Sequence, residues 1–295
     1  MQFTRLNPDL SLYHTILFSD IDGVFADHRM NYGHGKASFK LLNNAGVLLV
    51  LVSSKPVGSI LEILKNCDTI MPFVFENGAG IFLPEEFASV RSEMKVDGLR
   101  IVPLAQGLSV VEKTFKSVLK RFPEIKLFFP DMPRNFKFLL PKMRLYFQHW
   151  SDKQIYDGVT PKKYFDLAFR FDINFQTNEE IKNQFIYALK TAGLQLHIGG
   201  LFHHATIGAD KGVAVNKFIS TITKICGKSS VTYAIGDRGA DMPMLGVVDH
   251  GFLVRTLSGK FDVKKDDSSC ISLIDKVEVD GFLEVRDKLL RINRY

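Results

Sequence analysis

The sequence predicts an α/β protein, a doubly wound, mostly parallel Rossmann-like sheet interrupted by an inserted mixed α/β domain. Three observations predict it. Short apolar runs at Ile16–Phe18, Val47–Val52 and Val231–Ile235 have the length of single strands and the unbroken hydrophobicity of strands covered on both faces. Helical patterns lie between such runs, as parallel pairing requires. The rhythm then changes at about Pro84 and returns near Asp210. With 295 residues, the chain exceeds what one hydrophobic core usually holds. The expected division is a core of residues 1–84 and 207–295 with an inserted domain of 85–206.

In chain order, the first strand ends in Ser19-Asp20-Ile21-Asp22-Gly23, and a polar loop follows from Asp27 to Gly35. Phe39, Leu41 and Leu42 mark a helix over 36–45. The run Val47–Val52 ends in Ser53-Ser54-Lys55-Pro56, with Pro56 suited to the first turn of a helix over 57–64. Phe73-Val74-Phe75-Glu76-Asn77-Gly78-Ala79-Gly80-Ile81-Phe82 reads as a hairpin around an Asn-Gly turn. Inside the insertion, strand patterns at 100–103, 125–129, 143–147 and 167–173 alternate with helices at 108–121 and 178–192. The aromatic, proline-broken stretch 123–152 yields no clear element. Strands at 194–198 and 202–207, joined by Gly199-Gly200, form another expected hairpin. Asp210-Lys211-Gly212 opens a helix over 213–225. The strand at Val231–Ile235 ends in Gly236-Asp237-Arg238-Gly239-Ala240-Asp241. A strand at 251–254, a solvated loop at 264–269 and a closing helix at 281–292 complete the chain.

Composition excludes several classes. Hydrophobic residues make up 46% and charged residues 24%, ordinary for a soluble globular protein. No apolar run approaches the roughly 20 residues of a membrane span, and the N-terminus has no signal-peptide pattern. Cys67, Cys226 and Cys270 are widely spaced, without metal-ligand rhythm, and read as reduced thiols of a cytoplasmic protein. The formal net charge of +6 is spread along the chain, without the concentrated basic face that nucleic acid requires. A small anionic substrate is the expected partner, with no nucleic acid and no membrane; oligomeric state is not legible.

Four strand ends or helix starts present Asp20 with Asp22, Ser53 with Ser54, Lys211, and Asp237 with Asp241. Each has a plain alternative. Ser53 can cap the helix after it, Lys211 can be an exposed first-turn lysine, and Asp237 or Asp241 can be turn and cap residues. Taken singly those readings win; together, at these strand ends, they lose. If the strands before Asp20 and Asp237 are neighbours, their carboxylates can share one cation, and an oxygen-rich site suits Mg²⁺. Asp20, Asp22, Asp237 and Asp241 are the expected metal group. Phosphoryl transfer needs an in-line nucleophile, positive charge on the phosphoryl oxygens and a proton donor for the leaving oxygen. Asp20 would attack phosphorus, and Asp22 would act as acid and then base. Lys211, Ser53 and Ser54 would hold the phosphoryl oxygens.

The same order resembles the haloacid dehalogenase-like phosphatase superfamily, in Phe18-Ser19-Asp20-Ile21-Asp22-Gly23, Val52-Ser53-Ser54-Lys55, Lys211 and Gly236-Asp237-Arg238-Gly239-Ala240-Asp241. Pro72-Phe73-Val74-Phe75-Glu76-Asn77-Gly78-Ala79 and the segment from Gly158-Val159-Thr160 through Phe169-Arg170-Phe171-Asp172 are similar to its mannosyl-3-phosphoglycerate phosphatase branch. The resemblance implies that the insertion is an α/β cap closing over a phosphorylated sugar, with Lys55, Asn77, Gly78, Arg170 and His203 contacting substrate. A solvent-facing strand arginine is the plain alternative for Arg170. Of the adjacent His203 and His204, at most one can reach a ligand on a given face. The chain departs from the family pattern at Val24, Arg238, Ala240, Leu201 and Ile173-Asn174. Two further readings follow: a weakened relative that binds a phosphorylated ligand as sensor or scaffold, or a phosphotransferase or mutase.

Overall fold

Thr15–Ser19 and Val47–Val52 are buried at every position, as strands covered on both faces must be. The computed structural model describes residues 4–5, 10–84, 94–96, 99–129, 163–172, 178–199, 202–208, 210–263 and 271–293. The expected strand at 143–147, the 264–269 loop, Gly158-Val159-Thr160, Ile173-Asn174, Leu201 and Cys270 lie outside them.

Two compact units divide the chain, one of Met1–Leu104 with Asp210–Tyr295 and one of Ala105–Ala209. The first begins with β1 (Thr4–Arg5), β2 (Thr15–Ser19), β3 (Val47–Val52), β4 (Thr69–Ile70) and β5 (Phe73–Phe75), then β6 (Gly80–Phe82), β7 (Met94–Val96) and β8 (Leu99–Pro103). The second carries β9 (Leu127–Phe128), β10 (Leu167–Phe171), β11 (Gln195–Gly199) and β12 (Phe202–Thr206). The chain returns to the first with β13 (Val231–Gly236), β14 (His250–Arg255) and β15 (Ile271–Val277).

The first unit's main sheet has nine strands in the order β15-β14-β13-β2-β3-β5-β6-β8-β7. From β15 to β5 all pairings are parallel, and β6, β8 and β7 extend the sheet antiparallel. The units part at Leu104 and Asp210, which corrects the expected boundaries at 84 and 207. The cause is β8: Ile81 pairs with Val102 and Phe82 with Ile101, so Leu99–Pro103 belongs to the core sheet. From β2 the chain builds outward through β3 to β5, then crosses back to place β13 on the other side of β2. Strand order therefore reverses between β2 and β13, and the carboxyl ends of such a pair flank a ligand crevice.

Helices confirm the expected periodicities with small changes of bounds: Gly35–Asn44, Val57–Asn66, Lys211–Cys226 and Glu278–Ile292. Gly35–Asn44 packs against Glu278–Ile292, and Lys211–Cys226 against Met242–Leu245. The Phe25 ring meets those of Phe39 and Phe282, with centroids 5.6 and 5.3 Å away.

The second unit is a four-stranded sheet in the order β11-β12-β10-β9, with the expected hairpin between β11 and β12. Helices Leu108–Leu119 and Glu179–Thr191 cover one face. Phe115, Phe169 and Phe185 form its centre, with Phe115 and Phe169 4.8 Å apart edge to face. Fully burying each such ring contributes about 1.5–3 kcal/mol. No helix among the described residues is long and apolar enough to cross a membrane.

Candidate active site

Parallel register brings the first aspartate beside the last ones. Ser19 pairs with Ile235, and the Asp20 N–H donates to the Ile235 carbonyl at 3.0 Å, so Asp20 and Asp237 leave the sheet at the same edge. Gly23, with φ +81, lets the loop after Asp22 pass close by: a Cβ there would lie 2.7 Å from Asp237 Oδ2. The glycine of Asp-x-Asp-Gly is thus required by a residue more than two hundred positions away.

Lys211 enters from the start of its helix. The Asp210 carboxylate accepts from the Val213 N–H at 2.9 Å and caps that helix, which fixes Lys211 in its first turn. The Lys211 ammonium is buried and donates to Asp20 Oδ1 at 2.7 Å and to Asp241 Oδ1 at 2.6 Å. The exposed-lysine alternative is excluded. Asp241 is more than a helix cap, because its Oδ2 also accepts the backbone N–H groups of Asp237 and Arg238 at 3.1 and 3.0 Å. One carboxylate therefore shapes the loop and neutralises the lysine.

Asp20, Asp237 and Asp241 each offer an oxygen within 4.8 Å of the others, and all three are buried. Asp237 Oδ1 has no hydrogen-bond partner. Burial and the repulsion of Asp20 and Asp241 push its carboxyl up to about 9, against the relief from Arg238 and Lys211. Burial likewise pushes Asp20 up to about 7, opposed by Lys211 and assisted by Asp241 and Asp22. Burial alone would pull Lys211 down, but the two carboxylates outweigh it and hold the ammonium above its ordinary range. Clustered hard oxygens with an orphaned buried atom and a charge deficit fit a small divalent cation such as Mg²⁺.

This deficit gives a pH dependence. In the folded protein Asp20 and Asp237 keep protons to about 7 and 9, whereas the unfolded chain releases them near 3.8. Above that value the unfolded state binds fewer protons, so stability of the chelator-treated protein falls as pH rises toward 9. Asp237→Asn is expected to flatten the upper part of this slope. Thermal unfolding in EDTA between pH 6 and 9 should show it melting higher than wild type, by about 2–4 °C per kcal/mol regained. Added Mg²⁺ should stabilise wild type but not the variant.

Asp22 differs from expectation. Its carboxylate is outside the three-aspartate cluster and 46% exposed, paired with Lys55 Nζ at 2.8 Å. Two residues beyond Asp20, this carboxylate faces solvent and Lys55 rather than the cluster, so a metal role for its side chain is corrected. Lys55, expected at substrate, is its counter-ion.

Ser53 is buried and does not cap the next helix, whose N-cap is Pro56. Its Oγ accepts from the Lys55 N–H at 3.2 Å, and Ser54 is half-buried beside it. The Asn77 N–H donates to the Ser53 carbonyl and the Glu76 N–H to that of Lys55, both at 3.0 Å, which fastens the β5–β6 turn onto the Ser53 loop. Asn77 and Gly78 have φ +58 and +93, and a Cβ on Gly78 would lie 2.0 Å from the Asp210 carbonyl oxygen. Only glycine lets the turn reach the helix start that carries Lys211. Asn77 is buried, and its Nδ2 has no hydrogen-bond partner.

Of the family departures, Val24 is fully buried. Arg238 is half-exposed with Nε 3.5 Å from Asp237 Oδ2. Cys67 is buried and its thiol is pushed up to about 12 by burial and then Asp68, which leaves it unreactive.

No family model matches the chain. A glucosyl-3-phosphoglycerate/mannosyl-3-phosphoglycerate phosphatase from Methanococcoides burtonii is 25% identical over 262 residues, covering 84% of this chain and 87% of its own. One of the same name from Persephonella marina is 26% identical over 251 residues, with the same shares covered. BT1666 from Bacteroides thetaiotaomicron, studied among phosphatases of the haloalkanoate (HAD) enzyme superfamily, has a TM-score of 0.61 at 16% identity, covering 97% of this chain and 98% of its own. The chain has the haloacid dehalogenase-like fold. Sucrose-phosphatase from Synechocystis, solved with sucrose and phosphate, is similar to this haloacid dehalogenase-like chain with a TM-score of 0.56 at 13% identity, covering 94% and 98%.

In the Ala105–Ala209 unit of this haloacid dehalogenase-like chain, Arg170 is buried, not solvent-facing, because the rings of Phe128 and Phe202 flank it. His203 is corrected as a substrate residue. It pairs with Phe169 across the strands and stacks on that ring at 5.2 Å, so it lies on the helix-covered face. His204 takes the opposite face and meets Asp166 and Lys163, two residues that sequence reasoning missed. Only strand alternation and the i,i+3 spacing of Lys163 and Asp166 could have signalled them.

Proposed function

We propose that the chain is a Mg²⁺-dependent phosphomonoester hydrolase acting on a phosphorylated sugar or sugar-glycerate. The observation that carries this reading is Lys211 held between Asp20 and Asp241, with Asp237 in the same cluster, where the sheet order reverses. The relatives' names support the substrate class.

In the reaction, an Asp20 oxygen attacks phosphorus while the bond from phosphorus to the leaving oxygen breaks. Asp22 gives that oxygen its proton. Asp22, now a base, takes a proton from water, which attacks the aspartyl-phosphate and releases inorganic phosphate with Asp20 restored. Lys211, the Ser53 hydroxyl and the Asn77 amide hold the phosphoryl oxygens. Asp241 keeps Lys211 and the Asp237 loop in place. A divalent cation held by Asp20, Asp237 and Asp241 would supply positive charge to the phosphoryl oxygens and relieve repulsion among the carboxylates.

The test is phosphate release from glucosyl- and mannosyl-3-phosphoglycerate and a panel of sugar phosphates, with Mg²⁺ and with EDTA. Mg²⁺-dependent release from at least one is expected, and silence on every phosphomonoester overturns the proposal. Arg238 beside Asp237 favours a second reading, a phospholigand sensor. Thermal stabilisation by such a ligand without phosphate release would select it, and release into water without an acceptor excludes a phosphotransferase.

A further inference from the structure

Arg238 is a second cation beside the three-aspartate cluster, and the phosphoryl chemistry above does not employ it. The backbone around it is fixed from two sides. Asp241 Oδ2 accepts the Arg238 N–H and Asp262 Oδ2 accepts the Gly239 N–H, both at 3.0 Å. Held there, the Arg238 side chain brings its Nε to 3.5 Å from Asp237 Oδ2. Among the described residues Asp237 is the one carboxylate within ion-pair reach of that guanidinium. The two oxygens of Asp237 therefore have unlike surroundings. Oδ2 has Arg238 and Gly23 for neighbours, and a Cβ on Gly23 would lie 2.7 Å from it. Oδ1 is buried and has no hydrogen-bond partner.

The two cations differ as much as the two oxygens. The Lys211 side chain is 4% exposed and donates to two carboxylates at 2.7 and 2.6 Å. That of Arg238 is 49% exposed and makes one long contact. Lys211 is built into the cluster, whereas Arg238 rests on its rim, where an ion pair is weak and screened by salt. With all three carboxylates ionised, Asp20, Asp237 and Asp241 against the Lys211 ammonium carry a formal charge of −2, and Arg238 reduces it to −1. Asp22 and Lys55 pair with each other outside the cluster. The Asp262 carboxylate is present with or without the guanidinium, so the difference that Arg238 makes is still one unit of charge.

We propose that Arg238 is a tethered counter-cation of Asp237 that competes with the divalent cation and keeps the affinity of the site low. The open oxygen for a cation on Asp237 is Oδ1, while a permanently charged guanidinium stays at Oδ2 of the same carboxylate. Two positive charges on one carboxylate repel each other and share its attraction. Arg238 can instead swing into solvent, but it then gives up its pair with Asp237. Both routes weaken binding, and neither blocks it. The site then fills over a range of cation concentration rather than holding its ion permanently. This inference rests on the cation-dependent reading under Proposed function and concerns how tightly the ion is held.

The experiment is calorimetric titration of the full chain with Mn²⁺, and with Mg²⁺ in competition, for wild type, Arg238→Gln and Arg238→Lys. Glutamine keeps a polar end and loses the charge; lysine keeps the charge. At low salt Arg238→Gln should bind Mn²⁺ roughly 3- to 30-fold more tightly than wild type, the range for removing one partly screened charge near a dication. Arg238→Lys should stay close to wild type. The gain should shrink between about 0.01 and 1 M salt, as the screening length falls from roughly 30 to 3 Å. Equal affinity in wild type and Arg238→Gln overturns the inference alone. Weaker binding in Arg238→Gln also overturns it, because Arg238 would then be orienting Asp237 for the ion. The same gain in Arg238→Lys overturns it too, since shape and not charge would be the cause. Tighter binding in Arg238→Gln sustains the inference even if no phosphomonoester is hydrolysed, in which case the phosphatase reading fails alone. If phosphate is released, the Mg²⁺ concentration for half-maximal rate should fall by the same factor as the Mn²⁺ dissociation constant. Absence of Mn²⁺ binding in both wild type and Arg238→Gln overturns the cation site and this inference together.

Discussion

Asp20→Asn should abolish phosphate release, by roughly ten-thousand-fold or more, since no other group takes over a missing covalent nucleophile. The fold should survive. An amide oxygen can still accept from Lys211 Nζ, and Asp241 keeps its own bond to that ammonium. The substitution also removes one of three crowded carboxylates, so thermal unfolding in EDTA near neutral pH should be unchanged or slightly higher. Phosphate release and a melting curve on the same preparation separate chemistry from folding. A variant retaining more than a tenth of wild-type turnover would remove Asp20 from the role of nucleophile.

Lys211→Met should act on stability as strongly as on turnover. Methionine has a similar length but leaves Asp20 and Asp241 facing one another, with side chains 10% and 1% exposed. Breaking one partner out of a buried ion pair costs about 3–5 kcal/mol. The sign with pH is set by Asp20. Without the ammonium, Asp20 holds its proton more tightly in the folded state, while the unfolded chain still releases it near 3.8. The deficit should therefore be large at pH 8 and small at pH 5. Urea midpoints at those two values measure it, and a loss below 1 kcal/mol at pH 8 would contradict a buried pair.

Burial decided how much of the fold was legible. Val47–Val52 was read with the observed bounds because an unbroken apolar run has few other uses, and all six residues are buried. β15 escaped because it is largely exposed and polar on one edge of the sheet, paired among the described residues with β14 alone. β8 was read as a strand but given to the insertion, since its partner β6 is found only through antiparallel pairing. In the site, Asp20, Asp237, Asp241 and Lys211 stood out because each sits at a strand end or helix start within a motif. The contacts of His204 with Asp166 and Lys163 span 38 and 41 residues and depend on register within the second sheet. Local pattern carries no record of such register.

The β5–β6 turn meets the chain on both sides of the long excursion. Leu104 donates its N–H to the Ala79 carbonyl at 2.9 Å, and Gly78 abuts the Asp210 backbone. The departure and return points are thus pinned by one rigid hairpin of the nine-stranded scaffold. A socket of that kind accepts segments of different length or sequence at small entropic cost, since closure entropy grows only slowly with loop size. What is plugged in there can therefore vary while the adjoining strand ends that carry Asp20 and Asp237 stay in register.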